Sequence, residues 1–251
     1  MTRVRTFLTP QEVDPGEVEG STAVVIDVLR ATSTIVEALA AGARAVYPTI
    51  SSEEAIRLAN SLGRDDTLLC GERKGLKVEG FDLGNSPAEF TAERVRGKRL
   101  VMSTTNGTRA FLAVEDADRV IAASLLNLSA AAQAVSGAER LVLVCSGREN
   151  RFSLEDALCA GMILRALEGD GRARKGKRSR SSDLDSDDAS RAVLALIRGH
   201  ELTTDLLLQT GAGVALVEVG LQDDVLYCAS QDRHQLVPEM WDRVIRIPKG
   251  E

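Results

Sequence analysis

Histidine is nearly absent: His200 and His234 are the only two in 251 residues, so a histidine-rich metal site or a histidine-driven mechanism has little material. The four cysteines, Cys70, Cys145, Cys159 and Cys228, stand far apart with no Cys-x-x-Cys pair, which argues against a zinc ribbon and a dithiol redox motif. Lying mostly at the ends of apolar runs or on a helix face, they read as small buried hydrophobes. No apolar stretch approaches the roughly 20 residues of a membrane span, and the N-terminus lacks the apolar run and cleavage site of a secretory signal. A cytoplasmic protein without membrane contact is the expectation. Positive charge is not in excess either. The formal net charge is −6, so nothing draws the chain towards nucleic acid, and an anionic ligand must be held by local groups. Phosphate-loop signatures are missing too: no Gly-Lys-Ser/Thr follows a glycine four residues earlier, and no GxGxxG follows a strand. ATP and dinucleotides are thereby disfavoured, and any metal must be carried by carboxylates.

What is present is apolar content of 44%, enough for a substantial core. Residues 22–29, Thr-Ala-Val-Val-Ile-Asp-Val-Leu, form a nearly continuous apolar run that reads as a strand buried on both faces. Further strands are predicted at 45–50, 67–71, 99–103, 119–123, 140–146, 225–229 and 243–247, the chain end giving one more strand pair. Helical spacing falls between most of them, at 34–41, 52–62, 87–96, 108–114, 129–135 and 153–167, then at 189–197 and 202–208. Alternation of this kind predicts an α/β fold with a largely parallel sheet covered on both faces. The exception is 171–191, with six Lys/Arg between Arg172 and Arg180 followed by Asp183, Asp185, Asp187 and Asp188. Such a stretch cannot bury itself and reads as a charged, flexible loop within one domain spanning 1–251, a basic interaction tail being the sharper alternative.

Polar segments follow several strands, where open α/β sheets bind ligands. Asp27 ends the first apolar run, and a carboxylate there is costly unless it meets a cation or donors. Either it ligates a metal or accepts phosphate, with Arg30, Thr32, Ser33 and Thr34 cradling an anion at a helix N-terminus, or it pairs with Arg30. Glu72 emerges beside Arg73 and Lys74 after the 67–71 strand. Asp82-Leu83-Gly84-Asn85-Ser86-Pro87 reads as a turn in which Ser86 caps a helix opened by Pro87, leaving Arg73, Asp82 and Asn85 unexplained. Ser103-Thr104-Thr105-Asn106-Gly107-Thr108 sets four hydroxyls and an amide in one strand-to-helix turn, more than one cap requires. Glu155 and Asp156 follow Ser153 at the start of a long helix, Asp156 either completing a capping box or, with Glu155, holding a hard cation such as Mg2+. Asp223 and Asp224, just before the 225–229 run, are ambiguous in the same way.

Taken together, Ile26-Asp27-Val28-Leu29-Arg30-Ala31-Thr32-Ser33-Thr34, Gly71-Glu72-Arg73, Phe81-Asp82-Leu83-Gly84-Asn85-Ser86-Pro87, the 103–108 segment, Glu155-Asp156-Ala157-Leu158-Cys159-Ala160-Gly161 and Val237-Pro238 resemble, in order, the 2-phosphosulfolactate phosphatase family. The likeness covers nearly the whole chain and departs from the family around 172–188 and 211–214. It implies a three-layer α/β/α sandwich with a mixed sheet and a Mg2+-dependent phosphoric monoester hydrolase. The implied reaction takes (R)-2-phospho-3-sulfolactate to 3-sulfolactate and phosphate, a step associated with coenzyme M synthesis.

On that likeness, Asp27, Arg30, Glu72 and Arg73 are the expected catalytic groups. Asp27, Glu72, Glu155 and Asp156 are the expected Mg2+ ligands. Substrate is expected to meet Thr32, Ser33, Asn85, Ser86, Ser103, Thr104, Thr105 and Asn106, guanidinium forks matching its anionic oxygens. The Asp-x-Asp-x-Thr pattern of haloacid-dehalogenase-type phosphatases is missing, so a phosphoaspartyl intermediate is not carried over. Another small 2-phospho acid as substrate, or a non-catalytic anion-binding protein, are the alternatives. A homodimer is expected.

Overall fold

The computed structural model describes residues 1–169, 184–200 and 202–248. In chain order the strands are β1 (Thr2–Phe7), β2 (Thr22–Ile26), β3 (Ala45–Thr49), β4 (Thr67–Arg73), β5 (Leu76–Lys77), β6 (Arg99–Ser103), β7 (Arg119–Ala123), β8 (Arg140–Cys145), β9 (Leu184–Ser186), β10 (Glu239–Trp241) and β11 (Val244–Arg246). The helices are α1 (Pro15–Val18), α2 (Ala31–Ala40), α3 (Ser52–Leu62), α4 (Ala92–Val95), α5 (Gly107–Ala113), α6 (Leu128–Ala134), α7 (Leu154–Glu168), α8 (Asp188–Gly199), α9 (Thr204–Gln209), α10 (Gly211–Glu218) and α11 (Gln222–Cys228).

Among the described residues the strands make one sheet in the order β5-β4-β6-β3-β11-β10-β7-β2-β8-β1-β9. It is mixed and largely parallel. The β10–β11 hairpin sits antiparallel between β3 and β7, and β5 folds back on β4. Strand β2 shows why both faces are covered. Val24 and Ile26 join the core built with α6, α7 and α8, whereas Ala23 and Val25 join the core built with α2 and α5. The unbroken apolar run from Ala23 to Ile26 is what a strand between two helix layers requires.

Most expected strands and helices stand within a few residues of their predicted places, and the α/β/α sandwich is the observed architecture. Four departures have physical causes. The 225–229 run is not a strand but the body of α11, which buries Asp224, Val225 and Cys228 along one side; so short an apolar run fits either period. The partner of β11 is therefore β10. Strand β1, unanticipated because Arg3 and Arg5 dilute its apolar positions, pairs with β8 and β9 in the sheet. The 87–96 helix is broken into a 3-10 turn at Pro87–Glu89 and the single turn of α4.

Of the charged loop expected at 171–191, residues 171–183 lie outside the described residues. From Leu184 the chain is strand β9, and Asp187 caps α8 by accepting from Ser190 N at 2.8 Å. All four cysteines are free and buried, as expected of small hydrophobes. Burial holds the thiols of Cys70, Cys145 and Cys159 well above their usual range and pushes Cys228 up to about 12.

Candidate active site

Strand β2 ends at Ile26, and Asp27 follows it directly at the N-terminus of α2. Its Oδ1 accepts from Ala31 N at 3.0 Å, so a side chain of the protein already occupies this helix start. Thr32 closes the turn from the other side: its hydroxyl accepts from Asp27 N at 3.0 Å and donates to Asp27 O at 2.8 Å. Ser33 donates to Val28 O at 2.8 Å, and Thr34 donates to the carbonyl of Asn85 at 2.9 Å. These hydroxyls are fully buried and committed to the backbone. They shape the turn rather than line a cavity.

Asp156, in the first turn of α7, does not form the capping box, since Ser153 makes no side-chain cap. Its carboxylate reaches back to the sheet, accepting from Val28 N at 2.8 Å and from Gly147 N at 3.1 Å, and so ties the ends of β2 and β8. Glu72, near the end of β4, accepts from Thr105 N at 2.8 Å and from Gly75 N at 2.8 Å. It thereby joins the loop after β6 to the β4–β5 turn. Arg73 turns the other way, donating to Ser103 O at 3.2 Å and to Ser103 Oγ at 2.9 Å, so Arg73 and Ser103 form a strut between two strands.

Two glycines permit the close approaches. A Cβ on Gly71 would lie 2.1 Å from Ser103 O, and one on Gly107 would lie 2.5 Å from Ala31 Cβ and 2.8 Å from Asp27 Oδ2. Strands β6 and β2 are five places apart in the sheet order, yet their following loops touch at Gly107.

The result is a cavity of about 430 Å³. Asp27, Glu72, Glu155 and Asp156 line it from buried positions, with Arg30, Asn85, Thr104, Thr105 and Asn106 beside them. Lys74 and Arg148, absent from the sequence expectation, line its exposed side, and α10 closes that side with Ala212, Ala215, Leu216 and Glu218. Thr32, Ser33, Arg73, Ser86 and Ser103 are not on the wall. The expected Asp27–Arg30 pair is not formed: Arg30 pairs instead with the buried Asp224. Nor does Ser86 cap a helix, for it donates to Asp224 at 2.5 Å. Asp82 accepts from Leu69 N at 2.7 Å and pairs with Arg64, away from the cavity.

Electrostatically the floor is acidic. Burial, reinforced by the charges of Glu72 and Glu155, pushes Asp27 up to about 7, against the pull of the Ala31 N–H and Arg30. Asp156 is held well above the ordinary carboxylate range, again by burial first and then by Asp27 and Glu155. Among the described residues no three His, Cys, Asp or Glu side chains are grouped closely enough to enclose a metal ion unaided. Two polar atoms of wall residues, Asn85 Oδ1 and Thr105 Oγ1, are buried without a hydrogen-bond partner among the described residues, which costs about 1–3 kcal/mol each unless a partner arrives.

A sequence model of the 2-phosphosulpholactate phosphatase family matches residues 7–243. Similar proteins include the probable 2-phosphosulfolactate phosphatase of Caldanaerobacter subterraneus subsp. tengcongensis, 38% identical over 245 residues that cover 97% of each chain. That of Symbiobacterium thermophilum is 41% identical over 224 residues, 88% of this chain and 92% of its own. That of Thermotoga petrophila is 40% identical over 224 residues, 89% and 90%. The motif-bearing segments from Asp27 to Asp156 all fall inside the matched span.

Proposed function

The chain belongs to the 2-phosphosulpholactate phosphatase family, and from that premise we propose that it is a Mg2+-dependent hydrolase of (R)-2-phospho-3-sulfolactate. The reaction adds one water across the phosphoester bond and yields 3-sulfolactate and phosphate. One observation carries the reading: four carboxylates line one cavity from buried positions while Lys74 and Arg148 line its exposed side. A receptor for anions gains nothing from carboxylates beside its ligand, because burying like charges together is unfavourable. A phosphatase that uses a cation does.

The donor set fits Mg2+. This ion takes oxygen ligands in octahedral geometry and is bound by one or two carboxylates, several waters and substrate phosphate rather than by an all-protein cage. Both oxygens of Asp156 and both of Glu72 already accept backbone N–H bonds, and Asp27 Oδ1 does too. Asp27 Oδ2 and the Glu155 carboxylate accept none among the described residues, so these two would hold the ion, with Asp156 and Glu72 shaping the floor. Bound there, Mg2+ would polarise the phosphoryl group and offset charge developing on its oxygens.

The chain's own groups do the rest. Arg30, on the wall, presents a planar fork suited to phosphate or carboxylate oxygens. The unpartnered Thr105 hydroxyl and the amides of Asn85 and Asn106 supply neutral donors. Lys74 makes no ion pair among the described residues, and Arg148 spends one N–H on Gly211 O at 2.9 Å. Both are free to meet the anionic groups of the substrate that are not being transferred, the sulfonate being the farther of them from phosphorus.

The test is phosphate release from 2-phospho-3-sulfolactate, phospholactate, phosphoglycolate and p-nitrophenyl phosphate, each with Mg2+ and with EDTA. Turnover confined to the compounds with further anionic groups, and lost in EDTA, is the expected pattern. Equal rates on p-nitrophenyl phosphate, or full activity in EDTA, would sink it.

A further inference from the structure

Asp224 lies on α11, the element whose sequence reads equally well as a strand, and it does not line the cavity. Its carboxylate nevertheless joins two segments that do. One oxygen pairs with Arg30 Nη1, and the other accepts from Ser86 Oγ at 2.5 Å, next to the wall residue Asn85. The Arg30 and Asp224 side chains are only 3% and 6% exposed. A second anchor holds the guanidinium from the β4–β5 turn, where Arg30 Nη2 donates to Gly75 O at 2.6 Å. Of the five N–H groups of an arginine fork, these contacts take two and leave the others for a ligand.

The alternative open to Arg30 explains why such an anchor is needed. Asp27, Glu72 and Glu155 line the same cavity, and each would accept an unrestrained guanidinium. A flexible arginine paired with them would cover the very oxygens that a cation requires and would withdraw its donors from the substrate. A buried carboxylate placed behind Arg30, itself fixed by Ser86, competes for the guanidinium and holds it in one orientation. The pair spans 194 residues of sequence, so only the tertiary fold can create it.

We propose that Asp224 is a positioning residue: held by Ser86, it keeps the Arg30 fork off the carboxylate floor and turned towards the cavity. The proposal rests on the phosphatase reading above and adds to it a residue that touches no substrate.

A double-variant cycle tests it. Wild type, D224N, S86A, R30K and R30K/D224N are checked by thermal melting and assayed for phosphate release from 2-phospho-3-sulfolactate. D224N is expected to fold and to lose roughly 10–100-fold in kcat/KM, as for a lost charge-assisted contact. S86A should lose less, in the same direction. With lysine at position 30, adding D224N should cost less than about threefold, because the two residues act as a unit. Independent losses that multiply in the double variant overturn the proposal, as does a D224N enzyme with wild-type kinetics. Should D224N not fold, S86A and R30K/S86A carry the cycle: a loss in S86A that shrinks when position 30 is lysine upholds the proposal, and a loss that multiplies, or none in S86A, overturns it. If wild type releases no phosphate, the assigned reaction fails, and Asp224 is then judged on the rise in melting temperature with inorganic phosphate. A rise in wild type that D224N loses upholds the positioning role; an equal rise in both, or none in either, removes it.

Discussion

Asp27 is the residue on which the proposed chemistry turns, and its environment makes its charge state conditional. Burial and the neighbouring Glu72 and Glu155 hold its pKa at about 7. An asparagine there keeps an acceptor for the Ala31 N–H, so the start of α2 survives. What disappears is the carboxylate oxygen that would meet the cation. D27N is therefore expected to abolish Mg2+-dependent phosphate release, by more than about 10³-fold, with an unchanged circular dichroism spectrum. It should also melt several degrees higher than metal-free wild type at pH 8. There the wild-type protein carries a buried charge that costs on the order of 2–4 kcal/mol. Normal turnover in D27N would end the case for Asp27. Sequence identified Asp27, Glu72, Glu155 and Asp156 by residue type at strand and helix ends, and all four line the cavity. It could not separate them from Thr32, Ser33, Ser86, Arg73 and Ser103, whose polar atoms are spent inside the fold. A hydroxyl in a motif looks the same whether it faces a cavity or a carbonyl.

At the scale of elements, the site depends on how closely α5 and α2 approach. Gly107 opens α5, and any side chain there meets Ala31 Cβ at 2.5 Å and Asp27 Oδ2 at 2.8 Å. Gly107→Ala must push α5 away or displace the Asp27 carboxylate. Overpacking of this sort costs about 1–3 kcal/mol, so a melting temperature lower by several degrees and at least a tenfold loss of kcat/KM are expected. Wild-type activity together with an unchanged melting temperature would show that α5 and α2 leave room for a side chain at position 107. Elements with a long, clear period were legible: α3 and α7 stand within a residue of the predicted 52–62 and 153–167. Helix α11 was not, because a short run of apolar residues does not distinguish a helix turn from a strand. That misreading hid Asp224, since a residue before a strand and a residue inside a helix face different neighbours.

For the molecule as a whole, stability and the proposed function pull on the same carboxylates. Both Asp27 and Asp156 have raised pKa values, so the folded, metal-free protein holds protons that the unfolded chain has released. The folded state then binds more protons from about pH 4 upwards, and the contribution of these groups to stability falls as pH rises, for Asp27 until about pH 7. Differential scanning calorimetry without metal should show D27N less sensitive than wild type to a rise from pH 5 to 8. Added Mg2+ should raise the wild-type melting temperature more at pH 8 than at pH 6, because ligands must lose their protons to bind. A Mg2+ effect that does not grow with pH would contradict a cation site built on Asp27. Composition, the both-faces-buried run of β2 and the alternation of periods were enough to determine an α/β fold with a largely parallel, doubly covered sheet and polar motifs at strand ends, because those depend on neighbours within a few residues. Which motifs share a cavity was settled only by the sheet order and by long-range contacts such as Arg30–Asp224 and Glu72–Thr105. A buried carboxylate takes its partner from whatever the fold brings within hydrogen-bond reach, and distance along the chain carries no record of that.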